Sequence, residues 1–245
     1  MDDEQAPIEV GLKQPATAAL VSYLNDHRGF LSFNAYLWKT IVIAQYGRGG
    51  YPSYAGQSAP SLNVVQEMDE HTQFLGQMMF CRGVDSFLVY LTDLLTLIFT
   101  SEPNILKSNE KVSMEFVVDH LRAGDLISAI VEKKVTELSY QGMEDLYRFF
   151  DERLKLPLCM KPDDFKRVGL LNDIRNIITH NRGIVNQIFK QKQPDHPAEL
   201  GSQIVFKDHS EVGELIGSLV YLARYLDARA AAKFKLPTIL PDQPS

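Results

Sequence analysis

The longest helical pattern in the chain sets the scale of its fold. From Leu62 to about Phe99, apolar residues continue without a proline, with a bend expected near Gly76 or Gly83. Ser61 can cap the start by accepting a free backbone amide, and Pro103 ends the run. If continuous, this element is roughly 55 Å long at 1.5 Å per residue. The rest of the chain reads the same way. A helical pattern covers Ala16 to about Tyr46, with Tyr23, Phe30, Phe33, Tyr36 and Trp38 in it and Gly29 as a place to divide it. Shorter helices are predicted over Ser113–Arg122, Asp125–Leu138 and Met143–Leu154, separated by Gly124 and Gly142. Pro157 and Pro162 bracket a short connection, and Asp163 or Asp164 then opens another helix, where a carboxylate suits the positive end of the dipole.

The last helix spans about Ser210 to Ala232, with Val212, Leu215, Ile216, Leu219, Val220 and Leu226 on its apolar side. The proline-rich tail cannot continue it. Ser202–Phe206 is the one stretch that reads as a short strand. The expected fold class is therefore all-α, with seven or eight helices. The segment from Gly47 to Ser61, GRGGYPSYAGQSAPS, is a linker or loop. It is not a phosphate loop, because no Gly-Lys-Ser/Thr follows it. It divides residues 1–61, a helical extension, from a main helical domain over 62–240.

Composition narrows the function. A net charge of −6 argues against a protein that coats nucleic acid or anionic membrane without specificity. The segment 161–192 departs from that balance, with seven basic residues against three acidic ones. Cys81 and Cys159 form no CxxC pair, so neither a zinc site nor a disulfide framework is expected. The start, MDDEQ, lacks the basic and apolar parts of a secretory signal. The most apolar run, Phe87–Phe99, contains Asp93 and is too short to span a bilayer. A reducing cytoplasm and no membrane partner are expected.

The chemistry concentrates in Leu171–Phe189, LNDIRNIITHNRGIVNQIF. Drawn as one helix, Leu171, Ile174, Ile178, Val185 and Phe189 share a face. Asn172, Arg175, Asn176, Thr179, His180 and Gly183 share the other. That second face carries few charges, which suits a close neighbour or ligand better than bulk water. Asn176 and His180 are one turn apart, so the amide can hold the imidazole. Arg175 would reach round from the flank. Gly183 either admits a partner helix or ends the helix early.

Arg175-Asn176-x-x-x-His180 resembles the signature of the HEPN superfamily, helical domains whose catalytic members are ribonucleases. LNDIRNIITHNRGIVN, FLVYLTDLL, EPNIL and YLDARAAAKFKL are similar to one bacterial branch of it. The likeness covers about Leu62 to Leu236 and leaves residues 1–61 outside. It implies a HEPN-like helical bundle that dimerises with its motifs apposed. It also implies a metal-independent endoribonuclease with catalytic Arg175, Asn176 and His180 and no cofactor. Asp85 and Tyr90 sit where related domains carry residues that support the motif. The setting implied is a toxin with an antitoxin partner, or an effector of antiphage defence. The alternative is a non-catalytic member of the same fold that binds RNA or a nucleotide, or docks a protein.

The residue types suit the reaction independently of the likeness. Histidine titrates near neutrality and can move the proton of an RNA 2′-hydroxyl. Arginine stays charged and can pair two N–H groups with phosphate oxygens. His27, His71, His120, His196 and His209 are scattered, and none has a helical partner that makes a metal pair. Met78 and Met79 read as core filler.

Overall fold

The computed structural model describes residues 15–46, 64–107, 111–140, 142–158, 162–207 and 209–239. The predicted loop Gly47–Ser61 and Cys159 lie outside them. The described residues are almost entirely helical. In chain order they form α1 (Ala18–Tyr46), α2 (Val64–Ser101), α3 (Met114–Ala123), α4 (Leu126–Tyr140), α5 (Met143–Arg148), α6 (Pro162–Asn181), α7 (Gln187–Lys192) and α8 (His209–Phe234). A 3-10 turn at Pro103–Leu106 follows α2, and a π-helical turn at Phe149–Arg153 extends α5. Two short strands, β1 (Ala16–Thr17) and β2 (Thr238–Ile239), pair antiparallel, with Ala16 opposite Ile239.

Two details differ from the sequence reading. Gly29 does not divide α1, while α2 runs as one helix through Gly76 and Gly83. Gly83 serves packing instead: a Cβ there would lie 2.7 Å from the Ile216 side chain of α8. Ser202–Phe206 makes only an isolated bridge, while the two-residue strands form at segments that were not read as strand.

The chain divides into two compact units, one of Met1–Tyr23, Phe87–Gly169 and Ser218–Ser245, the other of Leu24–Ser86 and Leu170–Gly217. In the first unit α2 supplies the core, with Phe87, Leu91, Leu94, Leu95, Ile98 and Phe99 fully buried. The C-terminal half of α8 runs parallel to it. Tyr90 donates its hydroxyl to the Ala223 carbonyl at 2.9 Å, and Ser101 donates to the Phe234 carbonyl at 3.1 Å. These contacts are spaced by the same number of residues on both helices. Tyr23 of α1 packs its ring 5.5 Å from that of Tyr90. Phe99 meets Phe149 edge to face.

The stretch Gln73–Ser101 of α2 is long and apolar enough, by length and composition, to cross a membrane. The expectation of a run too short to do so holds only for its most apolar part. Phe87, Tyr90, Leu91, Leu94, Leu95, Ile98 and Phe99 are buried in the first unit while Val89 is exposed, so packing within the protein accounts for much of the apolarity of this run.

The start of α1 is fixed by a buried carboxylate. Asp227 of α8 accepts the backbone N–H of Thr17 at 2.9 Å and also the Thr17 hydroxyl. The Thr17 oxygen in turn accepts the Leu20 N–H at 3.3 Å, which caps the helix. Both side chains are shielded from water. Burial pushes the Asp227 carboxyl up from its ordinary range, and the two Thr17 donors pull it part of the way back. Asp227→Ala would leave the Thr17 amide buried without an acceptor. A loss of about 2–3 kcal/mol in urea unfolding is expected, and an unchanged midpoint would show that the clasp contributes nothing.

Candidate functional site

The site forms in the second unit, where the end of α6 runs antiparallel to α2. Three contacts define the register. Arg175 pairs with Asp85, Thr179 with Cys81, and Gly183 lies against Gln77. Each step is four residues on both sides, so the same stripe of α2 faces α6 throughout. One turn further along this stripe is Gln73.

The two glutamines hold an extended segment. Gln73 donates to the Phe206 carbonyl and accepts the Phe206 N–H at 2.9 Å. Gln77, itself buried, donates to the Ile204 carbonyl at 3.1 Å. That segment pairs with the residues just after α6. Ile204 N–H bonds the Gly183 carbonyl at 2.7 Å, and Val185 N–H bonds the Ser202 carbonyl at 2.8 Å. The glutamine amides thus satisfy backbone groups on the open side of a narrow ribbon.

This ribbon corrects the reading of Leu171–Phe189 as one helix. α6 stops at Asn181. Arg182 and Gly183 take positive φ values of 56° and 75°, and the Gly183 N–H turns back to the Ile177 carbonyl at 3.0 Å. Glycine adopts that conformation without strain, so Gly183 ends the helix. A Cβ at Gly183 would also sit 3.2 Å from the Gln77 amide nitrogen. Val185 and Phe189 are buried, but from the ribbon and from α7, not from the motif helix. Asn186 caps α7 by accepting the Phe189 N–H at 2.9 Å. On α6 the buried apolar residues are Val168, Leu171, Ile174 and Ile177, while Ile178 is only half-buried.

Around Arg175 the geometry is specific. Its Nε donates to Asp85 Oδ1 at 2.7 Å, and its Nη1 donates to Asn176 Oδ1 at 3.0 Å. Of the five N–H groups of the guanidinium, these bonds take two. The Nη2 amine and one N–H of Nη1 remain for another acceptor. Arg175 keeps 24% of its side chain exposed and Asp85 keeps 39%. Such a half-solvated pair contributes under about 1 kcal/mol to stability. Its effect is to fix the direction of the guanidinium.

Thr179 and His180 are exposed, and Asn172 and Asn176 half-exposed. The polar face therefore opens to solvent in the single chain. Asn176 accepts from Arg175 and does not hold the imidazole, contrary to the sequence reading. Within the described residues His180 makes no hydrogen bond. Tyr90 does not support the motif either, since its hydroxyl is bonded to Ala223 in the other unit. Asp85 does contact the motif.

Cys81 was not singled out as a site residue. Its sulfur lies 3.8 Å from the Thr179 hydroxyl, one turn before Asp85. Burial pushes the Cys81 thiol up, the Thr179 hydrogen bond and Arg175 pull it down, and Asp85 pushes it up again, with a net rise. A protonated thiol is a poor nucleophile. Further round α2, Asp26 of α1 accepts from Arg82 and Ser86. Burial raises the Asp26 carboxyl, but its bonds to Ser86 and Arg82 outweigh that and hold it below the usual range.

The other histidines lie elsewhere. His120 pairs with Asp125 at 2.9 Å, and His196 packs edge-on against Phe189 while accepting the Ala198 N–H. Among the described residues no three His, Cys, Asp or Glu side chains converge to hold a metal. Met79 is buried as expected, whereas Met78 is 55% exposed. The chain matches no protein-family model, no curated protein and no solved structure.

Proposed function

We propose that this chain is a HEPN-like, metal-independent endoribonuclease that works as a homodimer, with Arg175 and His180 of both copies lining one cleft. The observation that carries the reading is the grip on Arg175. Asp85 takes Nε and Asn176 takes one Nη1 hydrogen, while the Nη2 amine and the second Nη1 hydrogen have no partner among the described residues and the side chain stays partly exposed. Those N–H groups are the kind that pair with phosphate oxygens. A single convex helix face cannot enclose a phosphodiester. A second copy across a two-fold axis would close the cleft and supply a second imidazole.

In this mechanism one His180 takes the proton of the RNA 2′-hydroxyl, and the oxygen attacks the adjacent phosphorus. The bond from phosphorus to the 5′-oxygen breaks, and the other His180, as imidazolium, protonates the departing oxygen. The products are a 2′,3′-cyclic phosphate and a 5′-hydroxyl. Arg175 neutralises charge that builds on the non-bridging oxygens. The resemblance suggests a toxin or an antiphage-defence effector in the cytoplasm, held in check by a partner protein.

The second reading, a non-catalytic module that binds RNA or a nucleotide, is favoured by one feature. His180 has no side chain in the described residues to fix its tautomer, as a proton-transferring imidazole usually has.

Cleavage of labelled RNA tests the first reading. Activity should survive EDTA, stop when the cleaved nucleotide carries a 2′-deoxy sugar, and fall about 10²- to 10⁴-fold in His180→Ala. Preserved activity in that variant, or loss in EDTA restored by magnesium, would overturn the mechanism. A wild-type dimer that cleaves no RNA but binds it moves the assignment to the binding module.

Asp85 and Arg175 give a sharper test of the grip. Arg175→Lys keeps the charge but loses the fork, so cleavage should fall strongly while folding persists. Asp85→Ala should lower kcat about tenfold or more, and Asp85→Asn, which keeps an acceptor for Nε, should recover most of it. Equal loss in Asp85→Ala and Asp85→Asn would mean that the carboxylate acts through its charge and not by aiming Arg175.

A further inference from the structure

We infer that α3 is a second self-association surface, through which two copies of this chain pair antiparallel across a two-fold axis, independently of the Arg175–His180 face. α3 is strongly amphipathic, yet it buries none of its residues. Its inner side is accounted for, because Phe116 and His120 stack on each other and Lys133 of α4 lies over the Phe116 ring. The apolar stripe lies elsewhere. Met114 is 74% exposed, Leu121 65% and Val118 38%, and Ile127 in the first turn of α4 adds 52%. With Val112 these side chains present roughly 400–500 Å² of apolar surface, at the upper end of what monomers normally leave uncovered. It is about half of the 800 Å² that each side of a stable interface buries, with the rest left to a polar rim.

The charges beside the stripe identify the occupant. Glu115 and Arg122 are two turns apart, so they flank the stripe on the same side, one near each end. In an antiparallel pair related by a two-fold axis, Glu115 of each copy comes opposite Arg122 of the other. The contact is then satisfied twice by the same two residues. Ten residues are too few for a helix to persist by propensity alone. Its cap by Ser113 and its contact with α4 present the stripe preformed.

The test is the mass of the full-length protein by sedimentation velocity across a concentration series, which does not depend on RNA cleavage. Leu121→Glu should lower the assembly by one two-fold step, from tetramer to dimer or from dimer to monomer. Glu115→Arg and Arg122→Glu alone should each weaken association about tenfold, and the double reversal should restore it. His180→Ala should leave this step unchanged. Identical masses for wild type and Leu121→Glu, or single reversals that the double does not rescue, would overturn the inference. So would the binding of wild type, but not of Leu121→Glu, to phosphatidylserine vesicles with no change in mass, since the stripe would then face lipid.

Discussion

The candidate site depends on the antiparallel register between α2 and the end of α6. Gln77, Cys81 and Asp85 meet Gly183, Thr179 and Arg175 at matching steps, and Gln73 continues the stripe to the backbone of Phe206. Every residue of this stripe is polar on a helix that otherwise supplies core. Two glutamines serve the backbone, one thiol meets a hydroxyl, and one carboxylate meets a guanidinium. A polar atom placed against a neighbour costs little when that neighbour completes its hydrogen bond. A slip of one residue would turn the stripe by about 100° and leave these groups facing the wrong partners. The register is therefore held by hydrogen bonds as well as by packing, and the direction of Arg175 follows from it.

The helical content and most helix positions were legible in the sequence, because periodic apolar residues and the glycines and prolines between segments act locally. The end of α6 was legible only as one of two readings of Gly183, because the apolar spacing continues through Val185 and Phe189. Those residues are buried, so the periodic pattern was real. It was produced by a ribbon and a separate short helix that happen to face the same core. The spacing of Gln73, Gln77, Cys81 and Asp85 was a usable signal, since four polar residues at intervals of four within an apolar helix need a polar neighbour. The glycines of α2 pose a related question. A glycine in a helix signals either a bend or a close approach, and Gly83 is resolved only by Ile216, more than a hundred residues away.

At the motif, the residue types were legible and their pairing was not. Helical spacing puts Asn176 and His180 one turn apart, which suggested a bond between them. The structure gives the Asn176 oxygen to Arg175 instead, its immediate neighbour in the chain. Adjacent residues on a helix point about 100° apart, but a long arginine side chain can fold across that angle while the short imidazole arm cannot. Asp85 then completes the arrangement from α2, ninety residues away; the interval of four marks it as needing a polar neighbour but does not name Arg175.

The energetics separate this arrangement from the structural ones around it. The Asp227–Thr17 clasp is sealed from water, so removing the carboxylate leaves a buried amide without a partner and costs stability. The Arg175–Asp85 pair is open to solvent on both sides, and pairs of that kind add little to folding. A contact that contributes little stability, yet fixes the direction of a partly exposed cation on the motif helix, fits the role proposed for Arg175. The carboxylate also keeps the local charge near neutral when nothing is bound. In the proposed reaction an arriving phosphate would meet the guanidinium N–H groups that Asp85 and Asn176 leave unused, and a cation already held in place would not have to reorganise as charge develops.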